Sequence, residues 1–337
     1  MRLRWYALVT LAVLSATALQ GASSAPAPTL PPPSSAPGSP SASGAASAAA
    51  EPGITEIAVT APEPRYVAPT LRDRLGRIWA PVYLNGKGPY RLVLDTGASH
   101  SAISARVATE LGLPMVSAKS MLLHGVTGSA VVPFVTVDTF VVGDMEAHDK
   151  VLPIVPDALG GADGVLGMES LQDKRIYVDF QHDQITISRS HSRRAAEGYE
   201  TIPLTRTPNG LLMTTAYIGG VRVKAIIDTG GQATVANLAL RAALKRRHPD
   251  RDLRPSSITG ATDDVQAGLD LPVPPVSLGP VVIAAPFLTV CDLQIFDIWK
   301  TNGEPTMLIG IDTLGLLDNL VIDYRRMELQ IRTRHKI

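Results

Sequence analysis

The triplet Asp95-Thr96-Gly97 returns as Asp228-Thr229-Gly230, each time at the end of an apolar run. Val93-Leu94 leads into the first copy and Ile226-Ile227 into the second. An acidic side chain straight after a buried strand is costly unless nearby groups use its charge. Average residue usage gives a particular triplet on the order of once per several thousand positions, so chance explains one copy easily. Two copies in matched surroundings restrict the chain to a duplicated fold that brings two carboxylates into play.

The match extends along both halves. Val82-Tyr83-Leu84-Asn85-Gly86 precedes the first triplet, and Ala216-Tyr217-Ile218-Gly219-Gly220 the second. Each reads as a strand, a Gly-containing turn and the strand that ends in Asp. A helix-like stretch follows each triplet. Residues 105–111 begin after Ser104 and stop at Gly112 and Pro114, and residues 238–247 begin after Asn237 and stop before Pro249. Ser104 and Asn237 are suitable N-caps. Further pairs are Val126-Thr127-Gly128 with Ile258-Thr259-Gly260, Val165-Leu166-Gly167 with Leu308-Ile309-Gly310, and Val178-Asp179-Phe180 with Ile322-Asp323-Tyr324. The separation is 133 residues at the triplets (95 to 228), 132 at the Thr-Gly turns (128 to 260), 136 at Gly143 and Gly279, and 143 at Gly167 and Gly310. Order is kept, and most of the growth places an insertion near residues 296–304. A repeat of this length is too long for a solenoid and predicts two similar lobes.

The 337-residue chain begins with a short basic stretch, residues 1–4, and an apolar one, residues 5–19. The latter is shorter than the roughly 20 residues of a spanning helix and fits a signal peptide over residues 1–24, with an uncleaved anchor as the other reading. Residues 25–52 are almost wholly Pro, Ala, Ser and Gly and read as a disordered linker. The remaining ~285 residues suffice for two modest lobes, at 53–195 and 196–337.

Short segments rich in Val, Ile, Leu and Thr, punctuated by Gly and Pro, make the expected class all-β. Only the two post-triplet helices and turns near residues 169–173 and 312–317 read as helical. A formal net charge of zero argues against a broad nucleic-acid surface. The single cysteine, Cys291, lies in an apolar run and reads as a small buried hydrophobe. Seven scattered histidines lack zinc-ligand spacing, so no metal or cofactor is expected. Asp163, Asp179, Asp323 and the Asp263-Asp264 pair read as turn or strand-edge residues.

With apolar-apolar-Asp-Thr-Gly and a later apolar-apolar-Gly both present twice, the chain resembles the retropepsin-like and pepsin-like aspartic proteases over roughly residues 64–334. It is most similar to exported bacterial members with two retropepsin-like units in one chain. The resemblance implies a bilobal fold of two barrel-like lobes flanking a cleft. It implies a catalytic dyad of Asp95 and Asp228 that shares one proton and activates a water. Thr96 and Thr229 would cross-brace the two loops, and Gly97 and Gly230 would let the backbone turn tightly. The apolar-Gly segments would hold the loops from behind. Gly125, Val126, Thr127 and Gly128, with Thr259 and Gly260, occupy positions of flaps over the cleft; a plain surface hairpin is the other reading of each. Ser99 can hydrogen-bond its own Asp. Gln232, at the matching place, departs from the family's small hydroxyl or acidic residue and puts catalytic strength in doubt.

The expected function is therefore an exported, periplasmic or secreted aspartic endopeptidase acting on peptide or protein. It would be monomeric, without nucleic acid or stable membrane insertion. A catalytically weak or inactive peptide-binding module on the same fold is the alternative, and two units pairing between chains is a third.

Overall fold

The computed structural model describes residues 9–11, 15–16, 66–69 and 77–332, except 115–118, 144, 157–160, 183, 191–194, 251 and 285–286. The expected linker, residues 25–52, and most of the expected signal peptide lie outside them. The architecture is all-β in two barrel-like lobes, as the alternating sequence patterns predict.

In the first lobe the sheet runs through Lys119–Gly125, Ser129–Val142, Trp79–Leu84, Lys87–Leu94, Gly164–Leu166, Ala102–Ser104 and Met145–Val155. It closes on itself because Ser129–Val142 also pairs with Met145–Val155. The second lobe repeats the scheme with Arg254–Thr259, Val265–Leu271, Leu288–Cys291, Val235–Ala236, Thr306–Ile309, Val221–Ile227 and Leu212–Ile218. Gly143 and Gly279 both take positive φ, at 61° and 56°, in equivalent turns.

A third sheet joins the halves. Lys174–Asp179 pairs antiparallel with Asn319–Asp323, with Tyr177 opposite Val321. These are equivalent residues of the two copies, so the pairing is that of a strand with its own duplicate about a local two-fold axis. The alternation of Lys174–Asp179 buries Ile176 and Val178 on one face. One hydrophobic core runs through both lobes and this sheet. A smaller cluster of Trp79, Val93, Leu123, Val132 and Ala261 underlies the first hairpin.

Helix α1 (Ala105–Glu110) is capped by Ser104 Oγ, which accepts from Val107 N at 3.3 Å. Helix α2 (Leu238–Lys245) is capped by Asn237. Two more α-helices are α3 (Gln294–Ile298) and α4 (Ile311–Leu314), and Met168–Ser170 forms a short 3-10 turn. The sequence reading missed α3, which opens the insertion of the second copy; its five residues are too few to show a helical period. Asp163 and Asp323 are more than turn residues, for both carboxylates are buried. Asp163 accepts from Arg91 N and pairs with Arg106, while Asp323 accepts from Ser190 Oγ and Arg326 N. No helix among the described residues is long and apolar enough to cross a membrane. Near the N-terminus, Val9–Leu11 runs parallel to Leu123–Gly125, and Ser15–Ala16 pairs antiparallel with Ile258–Thr259.

Asn237 does more than cap. Its Oδ1 accepts from Leu240 N and Thr306 N, and its Nδ2 donates to the carbonyls of Thr301 and Glu304. Replacing it with Ala leaves buried backbone groups unpaired, so Asn237→Ala should cost about 3 kcal/mol in urea unfolding, against about 1 for Ser104→Ala.

Candidate active site

Strands Lys87–Leu94 and Val221–Ile227 deliver Asp95 and Asp228 into two facing loops. Behind each runs a parallel strand, Gly164–Leu166 or Thr306–Ile309. Asp95 N donates to Leu166 O at 3.1 Å, and Asp228 N to Ile309 O at 3.0 Å. The apolar-Gly segments thus hold the loops from behind, as expected. Their glycines are required by close approach. A Cβ on Gly167 would collide with the backbone of His100 and Ser101, and one on Gly310 with that of Ala233.

The loops are locked to each other. Thr96 Oγ1 donates to Ile227 O at 2.7 Å and accepts from Thr229 N at 3.1 Å. Thr229 Oγ1 donates to Leu94 O at 2.7 Å and accepts from Thr96 N at 3.1 Å. All four bonds are buried, and each crosses from one copy to the other.

Both carboxylates are fully buried. Gly97 N donates to Asp95 Oδ1 at 2.8 Å. Gly230 N and Gly231 N donate to Asp228 Oδ1 at 3.1 and 3.0 Å. Among the described residues the two Oδ2 atoms accept no N–H or hydroxyl hydrogen bond, and the two carboxyls are close enough to share a proton. A Cβ on Gly230 would collide with the Asp95 carboxyl, so only glycine lets the second loop come this near. Burial, then the charge of Asp228, holds the Asp95 carboxyl well above the usual range. Burial also raises Asp228, against the amide of Gly231, a hydrogen bond with the Asp95 carboxyl, the amide of Gly230 and, least, the charge of Arg77. Two carboxylates so placed hold one proton between them over a wide pH range.

A second ring of contacts escaped the sequence reading. Gly167 N donates to Ser101 Oγ at 3.0 Å, and Gly310 N to Thr234 Oγ1 at 3.1 Å. Ser101 N donates to Glu169 Oε1, and Thr234 N to Asp312 Oδ2, both at 2.9 Å. The signal was present: each hydroxyl lies six residues after its Asp, and each acid two residues after its Gly. Ser99 Oγ meets His100 Nδ1 at 3.1 Å. Gln232 is half-buried, and its carbonyl accepts from Asp312 N at 3.0 Å.

The predicted flap residues sit at the tips of two hairpins that touch. Val126 and Ala261 are buried there. A Cβ on Gly260 would collide with Thr127 Oγ1, and one on Gly128 with the Asp264 carboxylate. Helix α3 fastens the first tip: Ile295 N donates to Val126 O at 3.2 Å, and Ser129 Oγ to Gln294 Oε1 at 3.0 Å. His124 Nδ1 meets Ser129 Oγ at 2.7 Å. A groove of about 730 Å³ lies elsewhere, on the outer face of the second lobe beside Met213, Tyr217 and Arg222. Among the described residues no group of three or more His, Cys, Asp or Glu could hold a metal ion. Cys291 is buried, its thiol pushed up to about 12 by burial, with Sγ on Ala267 O.

A family profile described as Aspartyl protease matches residues 80–170 and 214–313, one stretch in each copy. The chain belongs to the aspartyl protease family. Among solved structures it is similar to basic 7S globulin from soybean, at 13% identity and a TM-score of 0.46, over 82% of this chain and 98% of that one. No curated protein matches the sequence. Each matched stretch carries one Asp-Thr-Gly loop, so a single chain supplies both.

Two outcomes follow from this geometry. Thr96→Val strands Ile227 O and Thr229 N in the core and should cost about 2–5 kcal/mol in chemical unfolding, whereas Thr96→Ser should cost under about 1. Both carboxyls have folded pKa values above their unfolded ones. Their burial therefore costs nothing below about pH 4, and stability falls as pH rises from there through the folded values. Asp95→Asn, which removes a carboxyl that must take up a proton on folding, should be more stable than wild type at pH 7 by at least about 1.4 kcal/mol, one pKa unit. The gap should close below pH 4 in denaturant titrations.

Proposed function

We propose that the chain is an aspartic endopeptidase in which Asp95 and Asp228 together activate a water against a peptide bond. The observation that carries this reading is the buried, cross-braced carboxylate pair. The ionised member takes a proton from the water as it attacks, and the protonated member donates to the scissile carbonyl and stabilises the tetrahedral intermediate. Thr96, Gly97, Ser99, Thr229 and Gly230 shape the loops that carry the pair.

The substrate would be an extended peptide under the hairpins that carry Gly125, Val126, Thr127 and Gly128 and Thr259 and Gly260. Extended backbone already pairs with both hairpin edges, in Val9–Leu11 and Ser15–Ala16, which is β-strand addition within one chain. With both carboxylates from one chain, a monomer suffices. The apolar start of the sequence supports export to the periplasm or beyond.

The second reading, a peptide-binding module with little turnover, draws on Gln232 in place of a small hydroxyl. Asp95→Asn and Asp228→Asn decide between them in a peptide-library assay across pH. Each variant should lose at least ~10³ in rate if the pair is the catalyst. Peptide binding without turnover in wild type, unchanged in Asp228→Asn, would establish the module instead.

Entry of substrate requires the touching tips to part. Ser129→Ala removes a fastening between the first tip and α3, so amides at residues 125–129 should exchange with deuterium several-fold faster than in wild type, with the lobes unchanged.

A further inference from the structure

The sheet that joins the halves carries two cations side by side on its core-facing side. Along Lys174–Asp179 the buried positions are Lys174, Ile176 and Val178. Their partners on the neighbouring strand, Gln184–Arg189, are Arg189, Ile187 and Ile185. Residues directly opposite in an antiparallel pair project to one face, so Lys174 and Arg189 end a row of apolar pairs with a pair of like charges. Charges of one sign placed so repel, and an enclosed ammonium is costly unless negative charge lies close.

The second copy does not repeat the arrangement. Phe180 N donates to Asp318 O at 3.0 Å and Tyr324 N to Lys174 O at 3.1 Å, a reciprocal pair that makes Asp318 the counterpart of Lys174. The carboxylate of Asp318 accepts from Gln181 Nε2 at 2.7 Å. The duplicated sheet can thus be built without a lysine at this place.

Both cations line a cavity of about 310 Å³, with Phe140, Glu146, Lys150 and Glu169. The carboxylates around it are committed elsewhere or lie in solvent. Glu169 Oε1 takes Lys150 Nζ at 2.7 Å and Ser101 N at 2.9 Å. Lys150 Nζ also donates to Ser170 Oγ at 2.6 Å and lies 5.0 Å from the centre of the Phe140 ring. Glu146, 57% exposed, faces His148 at 3.7 Å. Asp173, 66% exposed, stands 3.5 Å from Lys174 Nζ, and water screens a pair of that kind heavily. Among the described residues Lys174 has no other ion pair and no side-chain hydrogen bond, and Arg189 has neither.

We propose that this cavity is a binding site for a dianionic oxyanion of the phosphate class, held by Lys174 and Arg189 with Lys150 at its edge. A guanidinium brings paired planar donors and an ammonium a compact charge, and together they suit a tetrahedral oxyanion. A cavity of this size leaves room for a small ester group on the anion. The site stands apart from the carboxylate pair and does not depend on the proteolytic reading. Its one link to the active-site loops is Glu169, which shares Lys150 with the cavity and supports Ser101.

Thermal unfolding of the full chain, in buffer free of multivalent anions and with phosphate added, tests the proposal. In wild type about 10 mM inorganic phosphate should raise Tm by about 3 °C or more. Lys174→Met removes an enclosed charge, so without phosphate it should melt at or above wild type, and phosphate should then add less than about 1 °C. A lysine kept only for structure predicts the reverse: a lower Tm in both buffers with the phosphate increment intact, which overturns the proposal. An equal increment in wild type, Lys174→Met and Arg189→Met would be a general salt effect and overturns it as well. Isothermal titration should show saturable binding of inorganic phosphate that weakens at least about tenfold in Arg189→Met. Acetate bound as tightly as phosphate refutes a site for a dianion. Glycerol phosphate bound more tightly than inorganic phosphate assigns the site to an ester, and the opposite order to the free anion. Should Lys174→Met not fold, the exposed Arg189 decides, because full phosphate affinity in Arg189→Met sinks the assignment.

Discussion

The mutual grip of Thr96 and Thr229 is the interaction on which the rest depends. Neither lobe alone can place two carboxylates face to face, because each contributes one. Four buried hydrogen bonds tie the two loops by side chain and backbone together. Each is worth only about 1 kcal/mol net, but the loss of any leaves an enclosed donor or acceptor stranded. The grip is therefore close to all-or-none. It also explains the glycines around it. Gly230 admits the Asp95 carboxyl, while Gly167 and Gly310 let the supporting strands press against the loops.

Distance from the grip brings a second constraint with the same symmetry. The shared sheet pairs Tyr177 with Val321, so its local axis relates the copies just as the threonines do. Two independent contacts about one axis leave the lobes little freedom to slide. Symmetry gives way in particular side chains around the loops and at the hairpin tips. Arg77 stands against Leu211, Ser99 against Gln232, and among the described residues α3 hydrogen-bonds the first hairpin.

What could be read in the sequence was what the backbone demands locally. Asp-Thr-Gly after a buried strand, Ser104 and Asn237 before helices, and glycine at forced close approaches all leave marks on neighbouring residues. Contacts across the chain were less legible. Arg77 lies 18 residues before Asp95 in an unremarkable stretch, and only strand register brings the two level. Tyr324 reads as a strand end until the shared sheet carries it beneath the first loop. Ser101 and Thr234 were recoverable, because the duplication repeats them at one spacing, but a hydroxyl in a loop has many ordinary uses. Helix α3 is too short to announce itself by period.

Gln232 raises the question of whether the second loop can hold its carboxylate without a small hydroxyl beside it. The geometry places that task on the backbone. Asp228 Oδ1 accepts from two main-chain amides, those of Gly230 and Gly231, and orientation by the backbone is independent of the next side chain. The Gln232 carbonyl, anchored on Asp312 N, fixes the exit of the loop, and Asp312 in turn holds Thr234 against Gly310. Substitution at position 232 leaves this chain of contacts in place, because the backbone amide and carbonyl are the same for any residue there. A loop that needs only glycine amides and a carbonyl to aim its carboxylate tolerates a larger side chain at its edge, provided that side chain stays clear of the pair.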